Sequence, residues 1–502
     1  MKWLLLAALL ALGSTGTASA QGGGWTPEER LLISDFTMIV GVAGDGFRIH
    51  AATLNGLLTW DPARRAWNQP LTVEDGYPVG EQPSALAWSP AEQALVLGTR
   101  LGRLWRLDAA GGRIEPFGAV PGPVEALQAG QSGDLYVRTP SAWLTIPAGS
   151  MVPRASAPPA DLRRELDERL RSLSGVLGLD ERLRRWPVTA VTAGTRADDY
   201  YVGTAGAGML RVDARTLRTE PLPYGGTGRA VTAIAQLGGM LWFAVRDPSP
   251  GRSAVFSADS ALGRWIWPDP QREGAPGSRV SALIVLGPVL WAAGADGLYR
   301  LAQNSTVWDR FDTRAGLPSA EVTALAASDS ALWVGTRRGA CLWRGDVCGP
   351  TLLPGLEVTA LSYCSRSLWI GTAQGLWEAT PSGLARAEPP GLAGQVRSLA
   401  CRDGSLYLAG ARQLLIRENG VWLAPVPIGG SGTVHCLTAD GDGVWVGGDA
   451  GAARWNATAR EWLTYLVPND IPAGPVVGLL PTGSRLWLAT PAGALRLEQR
   501  PH

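Results

Sequence analysis

Short apolar runs alternate with small and polar turns along most of the chain. In residues 328–350 the run Leu332-Trp333-Val334 ends in Gly335-Thr336, and a second run begins at Gly339. The same phrase recurs from Leu95, Tyr201, Leu290, Leu368, Leu406, Val444 and Leu486, with weaker copies from Ile49, Leu135 and Leu241. The position of Thr336 is held elsewhere by Thr53, Thr99, Thr139, Thr204, Val245, Gly294, Thr372, Gly410, Gly448 and Thr490. These eleven copies stand 36 to 49 residues apart, except for one gap of 65 after Thr139. That period fits a four-stranded propeller blade.

Within one copy the pattern separates four strands. Val322, Ala324 and Ala326 alternate with Thr323 and Leu325, which predicts an inner strand over residues 321–328. Residues 332–336 are nearly all apolar and predict a second strand buried on both faces. Residues 339–344 predict the third, and the looser residues 306–312 an outer fourth. The Gly-Thr pair and the later glycine are expected at positive φ in a tight hairpin. Trp333, Trp369, Trp445 and Trp487 share one strand position. Filling the wedge between neighbouring blades accounts for them, and an aromatic platform for sugars is the alternative. The predicted fold is all-β: a β-propeller of about eleven four-stranded blade-like repeats in two rings, with one small helical insert.

The segments outside the repeats bound the domains. Lys2, the apolar residues 3–12 and Ala18-Ser19-Ala20 read as a signal peptide over residues 1–20. The mature chain is expected to be secreted or periplasmic, with no membrane span. Residues 21–150 hold the first three blades and an N-terminal closing strand, 151–187 a helical insert, and 188–502 the remaining eight blades. In the insert, Leu162, Leu166, Leu170 and Leu173 fall on one helical face, with Asp161 as cap and Gly175 as stop. A shorter helix is expected over 179–186, before Pro187. The insert either packs on or bridges the rings, or forms an arginine-rich docking arm. The last repeat lacks a fourth strand, and residues 30–36 could supply it and cover the open edge. Both termini then share one ring with the other nested inside the sequence; a serial split is the alternative.

The stretch "AGLPSAEVTALAASDSALWVGTRRGACLWR" from Ala315 resembles the repeat of the two-component regulator propeller family. In that family a Gly-Leu-Pro-Ser turn leads into the inner strand, followed by a Leu-Trp-Ile-Gly-Thr strand and a Gly-Leu hairpin. "GYPVG" from Gly76 and "NDIPAG" from Asn469 look like relics of the turn, and Ala320 stands where the family often has Asn. The resemblance implies an extracytoplasmic propeller of the kind that forms the sensor half of hybrid histidine kinases, many tuned to polysaccharide fragments. Those proteins continue into a β-sandwich, a membrane helix and a kinase. The present sequence ends at His502 without them, so a sensing role would need a separate signalling partner.

Charge and chemistry narrow the function. Charged residues are 18% and hydrophobic ones 46%, as in a globular protein, and the formal net charge of +1 gives no global field for nucleic acid. Lys2 is the only lysine; a coding bias explains the arginines, or a preference for bidentate anion contacts does. The second-to-third-strand turns carry Arg100, Arg103, Arg138, Arg246, Arg252, Arg337 and Arg338. Either these form a solvated rim, or Arg100, Arg246, Arg337 and Arg338 contribute to a mouth that attracts carboxylate or sulfate. His50, His435 and His502 have no ligand-spaced partners, and no nucleophile elbow, P-loop or zinc-protease motif occurs. No catalytic residue, metal or cofactor is therefore named. The reading is an exported noncatalytic binding protein for a carbohydrate or cell-envelope protein, in a sensing or scaffolding role. The alternative is a propeller enzyme of the lyase or lactonase type with its site at the central channel. If Arg344-Gly345 is a two-residue turn, Cys341 directly opposes Cys348 and a disulfide is expected. Cys364 and Cys401, on consecutive inner strands, form the second predicted bridge, and Cys436 is left as a buried thiol.

Overall fold

The computed structural model describes residues 29–108, 114–130, 132–159, 175–180, 182–196, 198–228, 230–328, 331–392, 394–410, 412–428, 432–441 and 443–499. The expected signal peptide and the helix over residues 161–174 lie outside them. The described chain forms eleven antiparallel sheets, ten of four strands and one of five. It is an all-β propeller protein. We number the blades in chain order: blade 1 spans residues 39–67, blade 2 83–119, blade 3 126–156, blade 4 188–222, blade 5 231–266 and blade 6 280–311. Blade 7 spans 322–348, blade 8 358–387, blade 9 399–427, blade 10 434–466 and blade 11 478–498.

Blade 7 shows why the repeated phrase folds as it does. Its strands are Val322–Ala327, Leu332–Thr336, Gly339–Arg344 and Val347–Cys348, hydrogen-bonded in that order. The Thr336 hydroxyl donates to the Gly339 carbonyl at 2.8 Å and accepts from the Arg338 N–H at 3.1 Å, which closes the second hairpin. Thr53, Thr99, Thr139, Thr204, Thr372 and Thr490 close their own hairpins in the same way. Gly339 adopts φ 127°, as the hairpin reading requires. Gly335 does not; it sits in the strand, and a Cβ there would lie 2.6 Å from Val358 Cγ1 of blade 8. The first glycine of the phrase is thus a device for close approach between blades, not a turn residue.

The same close approach orders the blades. Gly371 meets Val396 ahead of blade 9, and Gly447 meets Val476 ahead of blade 11. Hydroxyls tie inner strands to the next blade: Thr232 to the Val280 carbonyl at 2.6 Å, Ser281 to Val322 at 3.1 Å and Thr323 to Val358 at 2.6 Å. The inner strand of blade 5, Val231–Leu237, also packs on Gly478–Thr482 and Arg485–Thr490 of blade 11, which closes blades 5 to 11 into a seven-bladed ring. Blades 1 to 4 form a separate group. There Gly203 meets Ile39, Gly41 meets Leu86 and Gly98 meets Val124, giving the order 4, 1, 2, 3.

The N-terminal strand Arg30–Ile33 pairs antiparallel with Gly493–Glu498 and completes blade 11 as its fourth strand, with Leu31 and Ile33 buried. Blades 1 to 4 are therefore inserted between this strand and blade 5. One contiguous core joins the two groups. In it Tyr224 meets Phe36, Trp67 and Trp265 at centroid distances of 5.3, 5.4 and 4.9 Å. Arg30 adds an ion pair to Glu74 in the short turn between blades 1 and 2.

Two local expectations are corrected. Among the described residues, 179–186 do not form a helix. The Asp180 carboxylate accepts from the N–H groups of Arg182 and Arg184 at 2.9 and 3.0 Å, and Leu179 bridges back to Arg185. A side-chain acceptor that captures backbone donors competes with helix formation. The blade 7 hairpin also has a different register. Its turn is Gly345-Asp346, both at positive φ (54° and 65°), and Trp343, not Cys341, opposes Cys348. The Cys341–Cys348 disulfide is still made, diagonally, with Cα atoms 5.7 Å apart. Cys364–Cys401 links blades 8 and 9 with Cα atoms 5.5 Å apart. Cys436 is free and partly buried, and desolvation pushes its thiol up to about 12. Trp369, Trp445 and Trp487 are buried and Trp333 half-buried, which accords with packing between blades.

Candidate ligand site at the mouth of the seven-bladed ring

In the large ring a buried valine begins the inner strand or, in blades 9 and 11, stands just ahead of it (Val396 and Val476), and in blades 6 to 10 residues flanking that valine line a common cavity. Before it stand Arg279, Glu321, Glu357 and Gln395 in blades 6 to 9; after it stand Ser281, Thr323, Thr359, Arg397 and, in blade 10, His435. All of them line one cavity of about 310 Å³, together with Arg337 from the second turn of blade 7. Five successive blades thus contribute polar side chains to one mouth.

Charges of both signs alternate around it. Arg337 Nε lies 3.0 Å from Glu321 and 3.7 Å from Glu357, and Arg279 also pairs with Glu321. In blades 6, 7 and 8 the residue after the valine is a hydroxyl that donates to the next blade's carbonyl. Blades 9 and 10 place Arg397 and His435 there instead. His435 Nε2 lies 2.7 Å from Asp449 Oδ1, and the Thr433 N–H donates to Oδ2 at 2.8 Å. The Thr433 N–H and then His435 hold the Asp449 carboxyl below its ordinary range. Arg397 makes no ion pair among the described residues and is exposed. The mouth therefore offers paired donors and acceptors plus one uncommitted cation, a set suited to hydroxyl-rich or anionic ligands.

Of the four arginines named from sequence, Arg337 lines this cavity. Arg338 is its exposed neighbour, Arg246 belongs to the second turn of blade 5, and Arg100 stands in blade 2, in the other group of blades. All four are exposed, and Arg100, Arg246 and Arg338 make no ion pair among the described residues. Sequence reading missed Arg279, Glu321, Glu357, Arg397 and His435. Aligning the repeats on the first valine, as in "RVSAL", "EVTAL" and "QVRSL", would have exposed them. Among the described residues no group of three His, Cys, Asp or Glu side chains could hold a metal ion, and no helix is long and apolar enough to cross a membrane.

Neither a protein-family profile nor a curated protein matches the chain. Solved structures do. The extracellular domain of the putative hybrid two component system BT3049 from B. thetaiotaomicron is 14% identical with a TM-score of 0.46, covering 92% of this chain and 68% of that one. PorZ, a surface component of the type-IX secretion system of Porphyromonas gingivalis, is 14% identical with a TM-score of 0.45, covering 92% and 69%. Virginiamycin B lyase from Staphylococcus aureus is 12% identical with a TM-score of 0.46, covering 54% and 96%.

Proposed function

We propose that the protein is an exported, noncatalytic β-propeller binding protein whose ligand, a carbohydrate or a cell-envelope protein, docks at the mouth of the seven-bladed ring. The observation that carries this reading is the convergence of Arg279, Glu321, Arg337, Glu357, Arg397 and His435 on one cavity. The resemblance of the Ala315 repeat to two-component regulator propellers, and the signal-peptide pattern of residues 1–20, support export and a sensing or scaffolding role. Arg246, Arg337 and Arg338 act with Arg397 as anion contacts at this mouth, and Arg100 acts separately on the smaller group of blades.

A glycan array and an envelope-protein pull-down, each run at low and high salt, test the proposal. Binding should favour acidic ligands and weaken with salt, because exposed charges are screened beyond about 8 Å at physiological ionic strength. The double substitution Arg337→Ala with Arg397→Ala should weaken it by about tenfold or more, the loss of one to two charge-assisted contacts. Undiminished binding by that variant would place the site elsewhere.

A further inference from the structure

Blades 4 and 1 enclose a second cleft, of about 440 Å³, at the end of the sheets opposite the Gly-Thr hairpins. Its wall is a transverse row on blade 4: Tyr201 opposes Arg211, and Arg211 opposes Glu220, across three successive strands. Arg211 is held from both sides, by Asp199 at 2.8 Å and by Glu220 at 3.0 Å, and Glu220 also pairs with Arg65 of blade 1. Buried Tyr201 and Trp60 contribute the aromatic lining.

Two side chains on the lips are exposed and make no ion pair or ring contact among the described residues. Phe47, at the tip of the first hairpin of blade 1, is 82% exposed and makes no ring contact among the described residues. Its backbone is nevertheless fixed: the Asp45 carboxylate accepts from the N–H groups of Phe47 and Arg48 at 2.7 and 2.6 Å, and lies 3.1 Å from His50 Nε2. A large apolar ring is thus held out over a cavity that has aromatic side chains inside it. Arg196, on the corresponding hairpin of blade 4, is exposed and makes no ion pair among the described residues, whereas Arg65 and Arg211 are both committed to carboxylates. The three arginines and two carboxylates leave the cleft one positive charge in excess.

We propose that this cleft is a binding site for a small carboxylate that carries a six-membered ring. The ring lies against Phe47 and the aromatic lining, and the carboxylate meets Arg196, whose planar donors suit it. The neutralised row of Arg211, Asp199 and Glu220 presents donors and acceptors side by side to any hydroxyls on the ring. Two sources share this chemistry: an acidic sugar and an aromatic acid.

Digalacturonate and 4-hydroxyphenylacetate are the probes, with galactobiose and 4-hydroxyphenylethanol as uncharged counterparts, read by intrinsic tryptophan fluorescence and calorimetry. One acid should bind at least about tenfold more tightly than its uncharged counterpart, and its identity names the source. Phe47→Ala and Arg196→Ala alter exposed side chains that make no ion pair or ring contact among the described residues, so the fold is retained. Each should weaken that binding by about tenfold, while Arg344→Ala, an exposed arginine of blade 7 that lines neither cavity, leaves it unchanged. If neither acid binds more tightly than about 10 mM, or if both variants bind like the parent, the cleft is not this site.

Discussion

Gly335 of blade 7 faces Val358 of blade 8 at a distance that leaves no room for a side chain: a Cβ would fall 2.6 Å from Val358 Cγ1 and 3.1 Å from its Cβ. Val358 cannot swing away, since it is fully buried at the head of an inner strand. Gly335→Ala should therefore force the two blades apart, at about 1–3 kcal/mol, the usual cost of overpacking a tight core. Gly345→Ala is a poor control, because Gly345 sits at φ 54°. Gly239→Ala is better, since a Cβ there meets nothing within 4 Å and its φ is not positive. Equilibrium urea unfolding of Gly335→Ala with a midpoint equal to the parent's would show that the interface yields.

Asp45 gives a pH dependence with a defined sign. Burial disfavours its charge, but hydrogen bonds from His50 and from the Arg48 and Phe47 N–H groups outweigh that and bring the carboxyl down to about 2. A carboxylate depressed in the fold stabilises it above the unfolded value near 4, and that contribution is lost as pH falls toward 2. The hairpin carrying Phe47 should thus stay closed at pH 5 to 7 and loosen progressively as pH falls from about 4 through about 2. Amide exchange at Phe47 and Arg48 reads this directly. Asp45→Asn should speed exchange at neutral pH while leaving the amides of blade 8 protected.

The two disulfides should differ in weight. Cys341–Cys348 spans 7 residues and Cys364–Cys401 spans 37. Loop-closure entropy then assigns about 2 kcal/mol to the first and about 4 kcal/mol to the second. Replacing Cys364 and Cys401 together by Ala should lower the thermal midpoint more than replacing Cys341 and Cys348. Non-reducing peptide mapping should recover both links and alkylate Cys436 only after denaturation. Equal losses from the two double variants would mean that loop length does not set their contribution.

What was legible in the sequence was what repeats. Thr336 and its counterparts recur because a hairpin needs their hydroxyls, and Gly335 recurs because the next blade touches it, so the phrase carried the architecture. Features made once were harder to read. The turn at Gly345-Asp346 was misplaced by one residue because Asp346 accepts a positive φ as well as a glycine can at its side. Residues 179–186 have helical spacing, but Asp180 takes the backbone donors, and Leu183, at φ 60°, is turned out to solvent. At the mouth, attention to arginine in the second turns found Arg337 but not the Glu321 and Glu357 that partner it, which enter from a different turn.

The N-terminal strand supplies the last prediction. Leu31 and Ile33 are buried against blade 11, and Arg30–Ile33 covers the backbone of Gly493–Glu498. Arg30 also reaches the carbonyls of Asn469 and Asp470 at 3.0 and 3.2 Å, beside its pair to Glu74 near blade 2. Removing this strand would expose a six-residue edge, Gly493–Glu498, able to pair with another chain. It would also forfeit the burial of two large aliphatic side chains, about 3–6 kcal/mol together. A chain starting at Ser34 should therefore aggregate or elute ahead of the parent in size-exclusion chromatography. Leu31→Asp, which keeps the backbone but buries an unpaired charge, should lower the thermal midpoint strongly without creating that open edge. Adding a synthetic peptide of residues 29–35 to the truncated chain should restore the parent's elution volume by refilling the vacant strand position. A truncated chain that elutes and melts with the parent would show that the ring does not depend on being closed from the N-terminus.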